Sequence, residues 1–186
     1  MTVKEILKTS SSMLGREDVV EYLNGQKTDT NQYLLSTLNN MVNLLNLVIG
    51  ELAGTFIPMV KTERVSVING KIYYKDLSER AIEIRAVYTK DAVKCSFEQT
   101  AEYILVNDIE VDVEYEYAPT NYGLEDKIGY SPKEVSCATL SYGLCAEYSI
   151  SLGDFDQAVM WHKRYVDSVK EHRKITNSKI KERCFL

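Results

Sequence analysis

The sequence predicts an α+β fold: an antiparallel helical bundle, made of a long helix and a C-terminal helix hairpin, with a small antiparallel β lobe inserted into it. Three observations carry this. From Asn31 to Phe56, Leu34, Leu38, Met41, Leu45, Val48 and Leu52 recur at alternating steps of four and three, the spacing of one helix face. From about 62 to 118 the period changes to two, with Asn69-Gly70 between two β-rich runs, a strong hairpin signal. From Ser131 to about Lys174 the helical period returns in two amphipathic segments joined at Gly153. So short a corner predicts an antiparallel hairpin.

Taken in order, residues 2–14 read as a short helix with Val3, Ile6, Leu7 and Leu14 on one side and Gly15 as its stop. Glu17–Leu23 adds another turn or two before Asn24-Gly25. Gln26–Asn31 is a polar loop in which Thr28, Asp29 or Thr30 is placed to cap the long helix, and Thr55–Pro58 ends that helix. Val65–Ile68, Lys71–Tyr74, Ala81–Tyr88, Val93–Phe97, Tyr103–Val106 and Ile109–Tyr117 then alternate as short strands, about five of them forming the lobe. In Ala81–Tyr88, Ile82, Ile84, Ala86 and Tyr88 are expected on one side, opposite Glu83, Arg85 and Val87. Ser131, Pro132 and Glu134 read as a capping box opening a helix with Val135, Leu140, Leu144, Tyr148 and Leu152. Asp154, with Gln157 three residues on, opens the last helix. Phe155, Ala158, Val159, His162, Tyr165, Val166 and Val169 are expected on its buried face. The organisation is then 1–61 for the N-terminal helices of the bundle and 62–118 for the inserted β lobe. Residues 119–174 form a connecting loop and the hairpin that completes the bundle, and 175–186 an extended basic tail.

Composition bounds what the chain can be. Hydrophobic content of 45% over 186 residues is enough for a packed core. No apolar run reaches membrane-spanning length, and the N-terminus has no apolar signal core, so neither a membrane span nor secretion by that route is expected. Cys95, Cys137, Cys145 and Cys184 are scattered and are read as reduced, packed thiols. The 13 tyrosines against 4 phenylalanines suit half-buried surfaces and interfaces.

The catalytic and cofactor-binding motifs G-x-S-x-G, H-E-x-x-H, the Walker loop and G-x-G-x-x-G do not occur. His162 and His172 lie on one late helix without ligand-spaced partners, and His162 reads as a core histidine. Cys137 and Cys145 share a helix but not a face, so they read as small packing residues. The expectation is no enzyme, no metal and no cofactor. Charge is more telling. Cys95–Asp126 holds nine acids and no Lys or Arg, whereas the chain from His162 on holds eight bases against three acids. Glu110, Asp112, Glu114 and Glu116 alternate with Val111, Val113, Tyr115 and Tyr117, so the acids form one face of a strand. A chain negative in one lobe and positive at its tail suits head-to-tail association or a tail that docks on a second protein.

The stretch Val111–Val169, and within it Tyr142-Gly143-Leu144 through Glu147-Tyr148, the glycine corner, and Ala158, Trp161 and Tyr165, resembles the head–tail connector (adaptor) proteins of tailed bacteriophages, including the tail tubular protein A type. In that family a proline opens a helix with a small-residue, aromatic-rich face, and a helix with spaced alanine and aromatics follows the corner. The resemblance implies a homo-oligomeric ring, of twelve copies in the family, between the capsid portal protein and the tail or nozzle proteins. Packaged DNA passes through it without sequence-specific binding. The location implied is the virion neck, after synthesis in the host bacterial cytoplasm. Lys179, Ile180, Lys181, Arg183, Phe185 and Leu186 become the candidate portal-docking tail. Glu110, Asp112, Glu114 and Glu116 become the candidate channel or inter-subunit face, and Leu144, Tyr148, Ala158, Trp161 and Tyr165 the bundle-packing set. Two alternatives stand beside it: a tail-completion or tail-terminator-like ring protein, and a nucleic-acid-binding accessory protein of a mobile element using the basic terminal helix. The net charge of −5 weighs against the latter.

Overall fold

The structure, a computed structural model, describes residues 1–26 and 31–181. It is α+β, with five α-helices and two small antiparallel sheets among those residues. It divides into a helical unit, Met1–Ile49 with Asn121–Leu186, and a β unit, Gly50–Thr120.

In the helical unit, α1 (Val3–Met13) starts at a full capping box. The Thr2 hydroxyl accepts from the Glu5 N–H, and the Glu5 carboxylate accepts from the Thr2 N–H at 2.8 Å. Its buried face is Val3, Ile6, Leu7, Ser10 and Ser11. Gly15, at φ +69, turns the chain into α2 (Glu17–Leu23). The proposed caps Thr28, Asp29 and Thr30 lie outside the described residues. Asn31 itself caps α3 (Gln32–Glu51), its side-chain oxygen accepting from the Tyr33 N–H at 2.9 Å. Leu34, Thr37, Leu38, Met41, Leu45, Val48 and Ile49 form the buried stripe of α3.

Helix α4 (Cys137–Ser151) begins five residues later than the sequence suggests. Ser131 and Glu134 do bond to each other, the Ser131 N–H donating to the Glu134 carboxylate at 2.8 Å, but they close only one turn. Ser136 then sits in extended backbone and caps the helix proper, accepting from the Thr139 N–H at 3.0 Å. Two cap-competent serines lie close together, and the second wins because its hydroxyl also meets that of Thr139, which bonds Ser168 of α5 at 2.6 Å. Leu140, Leu144 and Tyr148 are buried, and so are Ser141, Cys145 and Ser149 on another side of the helix. A helix buried on several sides is the centre of its unit. After Gly153 (φ +77), Asp154 caps α5 (Phe155–Lys181), accepting from the Gln157 N–H at 3.2 Å.

Helix α5 differs from expectation in two ways. It remains helical through Lys181, so residues 175–181 are not an extended tail. Its buried stripe is Ala158, Trp161, Tyr165 and Val169; Phe155, Val159 and His162 are exposed, and Val166 is half-buried. The apolar arc is wider than α4 covers, and His162 falls at its open edge.

The β unit opens with a π-turn over Leu52–Phe56, closed by the Ile57 N–H to the Leu52 carbonyl at 2.8 Å. Seven strands follow: β1 (Met59–Ser66), β2 (Lys71–Tyr73), β3 (Arg80–Thr89), β4 (Lys94–Cys95), β5 (Glu98–Gln99), β6 (Tyr103–Leu105) and β7 (Glu110–Ala118). They form sheets of order β1-β7-β3-β4 and β2-β6-β5. Asn69 and Gly70 both have positive φ, as a type I′ turn requires, and Ile68 and Lys71 exchange two hydrogen bonds of 3.0 Å. The expected hairpin goes no further: β1 pairs with β7 and β2 with β6, so this turn joins the two sheets. Irregularities near Ile82 and Arg85 break the simple alternation of β3, exposing Ile82 and burying Ile84 and Val87 together. Ile72 and Ile104 of one sheet share a core with Ile84, Val87, Val111, Val113 and Tyr115 of the other.

Gly143 marks the tightest point of the helical unit. A Cβ there would lie 2.6 Å from Val48 Cγ1 and 3.2 Å from the Tyr165 ring, so α3 and α5 both close on α4 at a residue without a side chain. Gly143→Ala is expected to destabilise the chain by about 1–3 kcal/mol through overpacking. Thermal unfolding of Gly143→Ala, Val48→Ala and the double variant checks this, with the double loss expected to be smaller than the sum of the singles.

Candidate functional site

Strand β7 is interior to its sheet, with β1 on one side and β3 on the other. Val111, Val113 and Tyr115 are buried on its core face. Alternation therefore puts Glu110, Asp112, Glu114 and Glu116 on the outer face. Flanking strands bring in the cations that the acidic segment itself lacks. Arg64, opposite Asp112 on β1, makes a bidentate pair with its carboxylate at 2.8 and 3.0 Å. Arg85, displaced by the irregularity in β3, reaches Glu116 at 2.7 and 2.8 Å. The Tyr88 hydroxyl lies 3.5 Å from the Glu114 carboxylate. The row is thus two clamped carboxylates alternating with Glu110 and Glu114. The hydrogen bond from Arg64 holds the Asp112 carboxyl below the usual carboxylate range.

The core side of the same sheet also carries a polar group that the strand expected from the sequence, beginning at Val65, does not reveal. Glu63 of β1 accepts from both the Ser78 N–H (2.9 Å) and the Ser78 hydroxyl. Lys61 donates to the Ser78 hydroxyl at 2.7 Å and pairs with Glu79 at 3.6 Å. The Tyr115 hydroxyl accepts from the Glu79 N–H at 3.3 Å. Burial pushes the Glu63 carboxyl up, but the bonds from Ser78 and Tyr115 outweigh it and leave it below its ordinary value. Burial raises the Tyr115 phenol. Ser78 gives its proton to Glu63 and accepts from Lys61, an arrangement that fastens the Leu77–Glu79 segment to β1. The signal was β1 itself, whose alternation begins at Met59 rather than Val65.

In the helical unit Leu144, Tyr148, Ala158, Trp161 and Tyr165 are all buried. Tyr142 stacks on Trp161 at 6.0 Å, and the Arg164 guanidinium lies 5.0 Å from the centre of the Trp161 ring. Arg16 holds Asp18 at 2.8 and 2.9 Å and bonds the Tyr148 hydroxyl, tying the α1–α2 turn to α4. Of the tail residues, Lys179, Ile180 and Lys181 belong to the end of α5. Arg183, Phe185 and Leu186 lie outside the described residues.

Cys95, Cys137 and Cys145 are free thiols; burial pushes the Cys145 thiol up to about 12, and it donates to the Ser10 carbonyl at 3.7 Å. His162 lies 6.2 Å from the Tyr165 ring. Among the described residues no three His, Cys, Asp or Glu side chains are grouped to hold a metal, and no helix is long and apolar enough to cross a membrane.

No known family model matches the chain, and no curated protein matches it either.

Two predictions follow from these geometries. In an NMR titration Asp112 should protonate below the normal carboxylate range, and Arg64→Ala should return it to that range. The sign is that of a depressed carboxylate: the pair contributes above the unfolded-state pKa and is lost as pH falls through the lowered folded value. Cys145 should remain unlabelled by maleimide at pH 8 in the native chain and label only on unfolding, as mapped by mass spectrometry.

Proposed function

We propose that the chain is a non-enzymatic structural subunit of a tailed-bacteriophage neck. In this reading, copies form a ring that joins the capsid portal to the tail and extends the channel through which DNA passes. The observation that carries it is the hairpin of α4 and α5. A buried helix with small residues at Ala138, Gly143, Cys145 and Ala146 meets Ala158, Trp161 and Tyr165 across a one-glycine corner. These are the residues that resemble the connector family. The finer architecture belongs to the same reading: α3, α4 and α5 as an antiparallel bundle, with the β unit as its insertion.

The role asks little of chemistry and much of surfaces. The subunit meets the portal on one side and tail or nozzle proteins on the other, and the basic end of α5 with the residues beyond it reaches the portal. The β7 row serves as channel wall through Glu110 and Glu114, since Asp112 and Glu116 are occupied by arginines. Carboxylates on such a wall repel DNA phosphates and keep the duplex sliding.

Electron microscopy of virions or isolated necks from the source tests the reading. The expected result is a closed ring of this chain between portal and tail, with the C-terminal residues against the portal. Absence of the chain from the particle would refute it. Glu110→Gln with Glu114→Gln should leave the ring intact and slow DNA ejection; loss of the ring would put these acids in a subunit contact instead.

A further inference from the structure

Helix α3 presents an outer face that is unusual for solvent. Over Gln32–Glu51 its one charged residue is Glu51, in a chain with 26% charged residues. Leu35, Asn39, Asn43 and Leu47 are exposed there. Asparagine is a poorer helix former than Glu, Lys or Gln, so a merely wetted helix has no reason to keep it at these positions. Asn46 is accounted for, tied to the Tyr122 backbone at 2.8 and 3.0 Å; among the described residues no such bond holds Asn39 or Asn43. An exposed face without charge repels no apolar partner and attracts no phosphate, and depletion of charge is the mark of a protein contact core.

A second exposed face among the described residues of this unit is the open edge of the hairpin. Leu152, Phe155 and Val159 are 65, 67 and 70% exposed. Together they bare roughly 400 Å² of surface, within the range of the largest and often functional patch on a monomer. Phe155 and Val159 lie on the side of α5 whose spacing reads as buried, yet α4 leaves them open.

We infer that these two faces are the halves of one contact: the α5 edge of one copy seats on the uncharged α3 face of the next. The inference rests on the ring reading in one respect, that a closed ring needs two unlike patches on every copy, whereas a two-fold dimer needs one self-complementary patch. That apolar area is about half the roughly 800 Å² per partner of a standard specific interface, so polar neighbours supply the rest. The asparagine amides, able to donate and accept, supply the hydrogen bonding that an aliphatic ridge does not.

The test uses the full chain in sedimentation velocity over a wide concentration range, with circular dichroism as a check on folding. Both positions to be varied are exposed, so the fold should survive. Asn43→Lys and Val159→Glu should each weaken self-association by about tenfold or more, by placing a charge in the contact. The combination Asn43→Lys/Val159→Glu should recover it, because the new charges meet. A benzophenone amino acid at 159 should cross-link to a peptide of α3 from a second copy. A monomer at all concentrations would overturn the inference. So would weakening by Val159→Glu alone with Asn43→Lys silent, which means α5 meets α5, or a cross-link outside α3. Microscopy separates this from the ring itself. A ring whose neighbouring copies do not join α5 to α3 sinks the contact alone, while association by this contact in a chain missing from the particle sinks the ring reading alone.

Discussion

The missing side chain at Gly143 sets the packing of the helical unit. Val48 of α3 and Tyr165 of α5 approach the same point on α4, and any side chain there would meet a short β-branched group on one side and an aromatic ring on the other. Neither yields easily, because valine has little rotamer freedom and the tyrosine is buried. The rest of the unit is consistent with a centre this close. Ser10 and Ser141 are fully buried, sizes that permit neighbouring helices to come near. The Ser10 hydroxyl bonds its own helix at the Ile6 carbonyl and so leaves no unpaired donor. Thr139 and Ser168 then fix the far end of the hairpin by a direct hydroxyl bond.

The β unit solves a different problem. Its smaller sheet is built from strands of only two or three residues, too little area to stand alone. The type I′ turn at Asn69-Gly70 sends the chain from one sheet to the other, and the two then face a common core. Making β7 an interior strand has an electrostatic consequence. Four acids on one strand face would repel one another; as an interior strand, β7 has a neighbour on each side, and each neighbour supplies an arginine. An acidic surface read from a contiguous segment is therefore more negative than the folded one, since strands distant in sequence neutralise it.

What was legible in the sequence follows the range of the forces involved. Helices α1, α2 and α3 and the Asn69-Gly70 turn are set by glycines and periodicity within a few residues, and their positions read directly, whereas the caps at Thr2 and Asn31 did not. The start of α4 did not, because Ser131 and Ser136 are equally good local caps and the choice falls to Thr139 and Ser168 across the hairpin. The facing of β3 did not, because irregularities near Ile82 and Arg85 reset a period-two pattern without any glycine to announce them. Arg64 and Arg85 escaped the reading of the acidic row because strand pairing between residues 31 to 48 apart in sequence is invisible to spacing.

The exposed edge of α5 is a different kind of mismatch. Apolar periodicity reports that a side chain is removed from water; it does not report whether the covering surface lies in the same chain. Phe155 and Val159 carry the same periodic signal as Ala158 and Tyr165, and only the second pair is buried. The converse holds for α3, where a conventional amphipathic pattern hides an outer face whose polar residues are uncharged and helix-weakening. Stability of the isolated unit explains neither: an exposed phenylalanine contributes little to folding, and asparagine in place of lysine or glutamate weakens the helix. Both features acquire a physical reason when burial is completed between chains, with apolar side chains from one surface and uncharged amides from the other.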